Sequence, residues 1–225
     1  MALKVTLLRH AAPEVRPGVR PERWSLSADG RQAARLLRGQ LPERAVLASS
    51  REAKAIETLC LAAGGDRHRL HIDDSFGEVQ RVEPFDDHHH SRRLAWVRNE
   101  LDDRHIGWET LSQAAVRFQA GLDAIDDDVV VATHGMVMTA WLVARGIVEP
   151  GPSAGACWIR LTFPALVTAQ RANQPDWRSL TGHRCLTSGL RKLPCTTAQA
   201  RACGRPAAVP SPWCPNDCTC GRMKP

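Results

Sequence analysis

Three features of this 225-residue chain predict an α/β fold, a mostly parallel sheet with helices on both faces. Short aliphatic or β-branched runs alternate with stretches whose apolar residues recur at helical spacing. Serines and glycines stand where those helices would start and stop. Two of the short runs end abruptly on Arg-His or Thr-His-Gly, and in sheets of this class ligands bind at the carboxyl ends of strands.

The elements follow in order. "LKVTLL" (3–8) is a strand. In "LSADGRQAARLLRGQL", Ser27 is the expected N-cap, and Ala33, Leu36, Leu37 and Leu41 form one helical stripe. "AVLAS" (45–49) is a short buried strand, and "SREAKAIETLCLAAGG" a helix that starts at Ser49 or Ser50 and stops at Gly64 and Gly65. After "LHIDD" the polar "SFGEVQRVEPFDDHHHSRR" has no clean period and reads as a long excursion, followed by helices near 92–102 and 109–125. "DDVVVATHGMVMTAWLVARG" is a strand running straight into a helix that ends at Gly146. "ACWIRLTFPALVTA" (156–169) is expected to supply a last strand pair or a bulged strand. Such alternation argues a mainly parallel sheet between helical layers.

The chain divides by composition. The net charge of +6 lies wholly in residues 173–225, because residues 1–172 balance basic against acidic side chains. A basic balance of this kind is no argument for nucleic acid, and no apolar stretch approaches the ~20 residues of a membrane-spanning helix. "VTLL" between Lys4 and Arg9 is too short for a secretory core, so neither nucleic acid nor membrane is an expected partner and a cytoplasmic protein is expected. Cys60 and Cys157 belong to the first segment and the other six cysteines to the second. The second segment is rich in Pro, Arg, Cys, Ser and Thr without any sustained period, and is expected to be disordered. Its cysteines form no paired C-x-x-C knuckles for zinc.

Arg9 and His10 close one strand and His134 closes another, while "SSREAK" feeds a helix amino terminus, where free N–H groups favour an anion. Arg9, His10, Lys54 and His134 in one pocket would suit a phosphoryl group. A neutral imidazole there could attack phosphorus, and Glu78 in "FGEVQR" is the first carboxyl group of the excursion able to protonate a leaving oxygen. His88, His89 and His90 are consecutive, so their side chains diverge and a metal site is not expected. They, with Arg92 and Arg93, would touch a substrate beyond its phosphate. Trp96, Trp108, Trp141 and Trp158 fit core or lid packing better than substrate stacking.

"LLRHAAP", "LSADGRQA", "LASSREAKAIETL", "FGEV" and "VVVATHGMV" resemble, in order and spacing, the motifs of the histidine phosphatase superfamily, the phosphoglycerate mutase-like fold. The resemblance covers about residues 3–169. It implies a three-layer α/β/α sandwich and metal-independent chemistry with no cofactor on a small phosphorylated substrate. His10 corresponds to the phosphorylated nucleophile, Arg9 and His134 to the phosphate clamp, and Glu78 to the general acid. The chain departs from the pattern in three ways. Ala11 and Pro13 stand where the family has Gly and often Thr. Lys54 stands at the family's second clamp arginine and lacks its planar fork; Arg51, one turn earlier, either reaches in to compensate or stays solvated. The tail has no family counterpart. The expected activity is phosphatase, with two alternatives: a mutase, or a weakened phosphate-binding module. The tail composition suits out-of-frame translation of a GC-rich message, and a family-like ending in another frame of the gene is the outcome that checks it.

Overall fold

The computed structural model describes residues 3–171, apart from 66, 85 and 162. The reading of 173–225 as a disordered tail lies outside the described residues. Five strands form one sheet: β1 (Leu3–Arg9), β2 (Val46–Ser49), β3 (His71–Ile72), β4 (Val129–Thr133) and β5 (Ala165–Arg171), in the order β3-β2-β4-β1-β5. β1, β2, β3 and β4 pair in parallel, and β5 runs antiparallel along β1. Among the described residues, six α-helices cover the sheet: α1 (Ala28–Arg35), α2 (Ala53–Ala63), α3 (His89–Arg98), α4 (Leu111–Asp123), α5 (Gly135–Ala144) and α6 (Pro152–Arg160).

The central strands alternate between two cores. Val5 and Leu7 of β1 and Val129 and Val131 of β4 join the larger core with Phe76, Trp96, Phe118, Met136 and Trp141, beneath α3 to α6. Thr6, Leu8, Val130 and Ala132 are also buried, on the other face, where α2 rests on β2 and β4 and carries α1. β4 is buried along its whole length because it has neighbours on both edges and helices on both faces. The four tryptophans named above are all buried, as expected of packing groups. Among the described residues, no helix is long and apolar enough to cross a membrane.

Several elements differ from the sequence expectation. α1 ends at Arg35, so the stripe that packs is Gly30, Ala34 and Leu37, while Leu36 faces outward. Ser27 does cap it, accepting the Gly30 N–H at 3.0 Å. The N-cap of α2 is Glu52, not a serine, because the Ser50 hydroxyl is held by His134 at 2.9 Å. α3 begins at His89 rather than 92. The stretch at 156–169 is not a strand pair. A proline in the first turn starts α6, whose Ala154, Gly155 and Trp158 bury one face at helical spacing, and only Ala165–Arg171 is strand.

Two close contacts set the loop after β1. Gly30 lies so close to the Ala12 carbonyl that a side chain there would collide with backbone. Thr58 of α2 accepts the Ala11 N–H at 2.9 Å and donates to the Lys54 carbonyl at 2.6 Å. Thr58→Val keeps the shape but leaves the buried Ala11 N–H without an acceptor, so chemical denaturation is expected to show a loss of about 1–3 kcal/mol.

Candidate active site

The register of the sheet sets the three strand ends side by side. Arg9 of β1 pairs with Thr133 of β4, and Ser49 of β2 with Ala132. The ladder runs one residue further on each side, through His10 N–H to the Thr133 carbonyl and Ser50 N–H to the Ala132 carbonyl, both 3.0 Å. His10, His134 and Ser50 therefore emerge together. The rings of His10 and His134 lie 5.1 Å apart, both buried.

His10 Nδ1 is 2.8 Å from the Ala11 carbonyl. A carbonyl only accepts, so Nδ1 carries the proton and a neutral ring keeps its lone pair on Nε2. The ring is neutral: burial, then the neighbouring His134, Lys54 and Arg9, push its pKa well below 6.5, against the opposing pull of Ala11. Burial and the charge of Lys54 likewise hold His134 well below 6.5. His134 Nε2 meets the Ser50 hydroxyl at 2.9 Å and Glu52 Oε1 at 3.0 Å. Its Nδ1 is buried without a hydrogen-bond partner among the described residues.

Arg9 lies against the Phe163 ring, with Cζ 3.6 Å from its centroid, and its guanidinium donates to the Leu161 carbonyl. Burial lowers it to about 10, so it stays charged at neutral pH. Gly135 makes room for it: a Cβ there would stand 2.9 Å from Arg9 Cζ and 3.0 Å from Trp158 Nε1. Phe163 also lies 5.2 Å from the His10 ring and is 37% exposed, so it roofs the two residues from the solvent side. Lys54 is buried, donates to the Pro21 carbonyl at 2.8 Å, and pairs with Glu52.

Glu78 Oε1 accepts the Val79 N–H at 3.0 Å and the Val137 N–H at 3.1 Å, so it caps the first turn of α5, which His134 leaves uncapped. Burial raises its pKa, but the neighbouring His134 ring, the charge of Arg81 and the Val79 N–H outweigh this and hold it below the ordinary glutamate value. The loop that carries Glu78 is fixed from below. Arg117 donates to the carbonyls of Ser75 and Gly77 and to Glu109, and Thr133 donates to Phe76.

Five of the six residues singled out from sequence come together: Arg9, His10, Lys54, Glu78 and His134. Arg51 does not. It is 71% exposed and grips Asp74 through Nε at 2.7 Å, because the turn before α2 points it outward. Of the consecutive histidines, His90 lies on the Trp158 ring at 4.9 Å and His89 bonds the Asp86 carbonyl. Sequence reasoning missed Ser50, Glu52 and Phe163. Ser50 and Glu52 stand inside the "SSREAK" stretch, but only the fold shows that they turn inward; Phe163 carried no signal. A cleft of about 520 Å³ beside Val46, Cys60 and Leu70 is at the other end of β2 and holds none of these groups.

The family profile described as "Histidine phosphatase superfamily (branch 1)" matches residues 5–150. The chain belongs to the histidine phosphatase superfamily. No curated protein matches it in sequence. Solved structures of the same fold include a mycobacterial glucosyl-3-phosphoglycerate phosphatase (19% identical, TM-score 0.56, covering 75% of this chain and 90% of that one). Others are a protein from Thermus thermophilus (21%, 0.51, 76% and 100%) and one titled mycobacterial hydrolase 1 (22%, 0.52, 79% and 98%). At these identities the likeness is one of fold. The Thr58 hydroxyl and the Ala11 backbone are tied to each other beside Lys54.

The buried, donor-tied His10 is expected to titrate below 6.5 and to hold its Nδ1–H tautomer at that pH. Nitrogen-resolved NMR across the pH range checks this, and a midpoint at or above 6.5 would count against it.

Proposed function

We propose that the protein is a phosphatase that hydrolyses a small phosphomonoester through a phosphohistidine on His10, without a metal or cofactor. The observation that carries this reading is the state of His10: neutral, with Nδ1–H tied to the Ala11 carbonyl and the lone pair on Nε2, among Arg9, Lys54 and His134. The step is a displacement at phosphorus. The His10 Nε2 lone pair forms the N–P bond, the bond to the leaving oxygen breaks, and Glu78 supplies that oxygen with a proton. Water then attacks phosphorus, gives a proton to Glu78, and frees His10.

Arg9, Lys54 and His134 would hold the equatorial oxygens, where charge accumulates. Glu78 starts as a carboxylate. A dianionic phosphoryl group beside it would raise its pKa, so substrate binding itself favours the protonated form that donation needs. The mycobacterial relative titled a glucosyl-3-phosphoglycerate phosphatase supports the reaction class. The segment between Glu78 and Glu109 favours hydrolysis over mutase chemistry. It is short and pinned, with Glu83 pairing Arg81 and Arg93 and Asp86 pairing Arg92, which leaves little chain to retain a departing product. A second reading, a phosphate-binding module of low turnover, is favoured by one observation: Glu52 already holds Lys54 and His134.

The test is steady turnover of a chromogenic aryl phosphate by the full chain in the presence of a chelator. Turnover that disappears in His10→Ala, with an acid-labile, alkali-stable phosphoenzyme trapped by rapid quench, is expected. Lys54→Met is expected to lower the rate by on the order of 100-fold. Phosphate binding without turnover would replace the phosphatase by the module, and phosphoryl exchange between two acceptors without net release would replace it by a mutase.

A further inference from the structure

The donors that a phosphoryl oxygen would seek are already taken by one side chain. Glu52 Oε1 stands 3.0 Å from His134 Nε2 and accepts the backbone N–H of Glu78 at 3.2 Å; Oε2 pairs with Lys54 Nζ. Because a carboxylate only accepts, His134 must donate from Nε2, which is why its Nδ1 is the atom left unpartnered among the described residues. One ammonium, one imidazole N–H and one amide N–H thus converge on a single carboxylate that is only 12% exposed. Three donors of mixed type around one oxyanion is the arrangement a phosphate oxygen needs.

The position of Glu52 makes the overlap geometric as well as electrostatic. It is the N-cap residue of α2, an 11-residue helix, yet its side chain makes no cap bond to that helix. It turns inward instead, across the strand ends. Among the described residues, neither Lys54 nor His134 pairs with another carboxylate, whereas Arg51, at the neighbouring position, is spent on Asp74 outside.

Resting on the phosphate-site reading above, we propose that Glu52 is a tethered competitor of the phosphoryl group. It holds Lys54 and His134 until an incoming anion displaces it, and so sets the affinity of the site for phosphate. Binding then exchanges one anion for another on the same donors. The exchange weakens net phosphate affinity, since the entering group must break the Glu52 contacts and overcome the repulsion of a carboxylate next to it.

Calorimetric titration of the full chain with inorganic orthophosphate at neutral pH tests this. Glu52→Gln is expected to bind phosphate about tenfold more tightly than the unaltered protein. In a Lys54→Met background the same change is expected to gain clearly less, because one of the shared donors is gone while His134 and the Glu78 N–H remain. Unchanged or weaker binding in Glu52→Gln, or an undiminished gain in the Lys54→Met background, would overturn the proposal. Glu52→Ala is measured alongside and is expected to show the same tightening, with thermal melting confirming the fold of each variant. The two readings fail separately. His10-dependent turnover with an unchanged phosphate affinity in Glu52→Gln overturns the competitor and leaves the phosphatase. Tighter phosphate binding with no turnover in any variant supports the competitor and overturns the phosphatase.

Discussion

The parallel pairing of β4 with both β1 and β2 is the constraint on which the site depends. Parallel neighbours end on the same edge of a sheet, and the register here ends all three within a residue of one another. His10, His134 and Ser50 are far apart in the chain, yet each is the first residue past its strand. A slip of β1 by one residue would turn His10 to the opposite face and separate the two imidazoles. The buried valines of β4 and the alternating Val5 and Leu7 of β1 oppose such a slip, because it would exchange the faces they present to the two cores. The core thus fixes the geometry at the rim.

Charge is the second constraint. Arg9, Lys54 and Arg81 surround two buried imidazoles, and without anions such a cluster would be costly to bury. Glu52, Glu78 and Glu83 provide the compensation, each shared among several partners: Glu52 between Lys54 and His134, Glu78 between two backbone N–H groups, Glu83 between Arg81, Arg92 and Arg93. The imidazoles remain neutral because burial and these cations act in the same direction on them. A neutral imidazole and charged cationic side chains can then coexist side by side, since a guanidinium still keeps its proton at about 10.

Much of this was legible in the sequence, for physical reasons. Strand ends that stop on Arg-His or Thr-His-Gly are readable because an aliphatic run is interrupted by side chains that cannot be buried unpaired. Ser27 is readable as a cap because its side chain answers a local backbone need. What escapes a sequence reading is set by contacts between distant segments. Ser50 has the composition of a helix cap, but His134 claims its hydroxyl, and the cap passes to Glu52. Arg51 and Lys54 are one helical turn apart in sequence, yet the turn before α2 sends the first to Asp74 and the second inward. Part of α6 reads as strand because Trp158 and Ile159 are residue types enriched in strands; the proline that starts the helix is the better signal.

Lys54 and Glu52 are best understood as one unit. A guanidinium at position 54 would present a rigid planar fork, and a carboxylate beside it would occupy that fork on both prongs. An ammonium is different. It carries three N–H donors on a flexible stem, of which one goes to the Pro21 carbonyl and one to Glu52, so the lysine stays anchored on Pro21 while the donor held by Glu52 passes to an incoming oxygen. The point charge also tolerates exchange of partners better than a bidentate pair does, since it has no plane to match. The departure from arginine and the inward carboxylate therefore make physical sense together: a carboxylate that must leave is better held by a lysine than by an arginine.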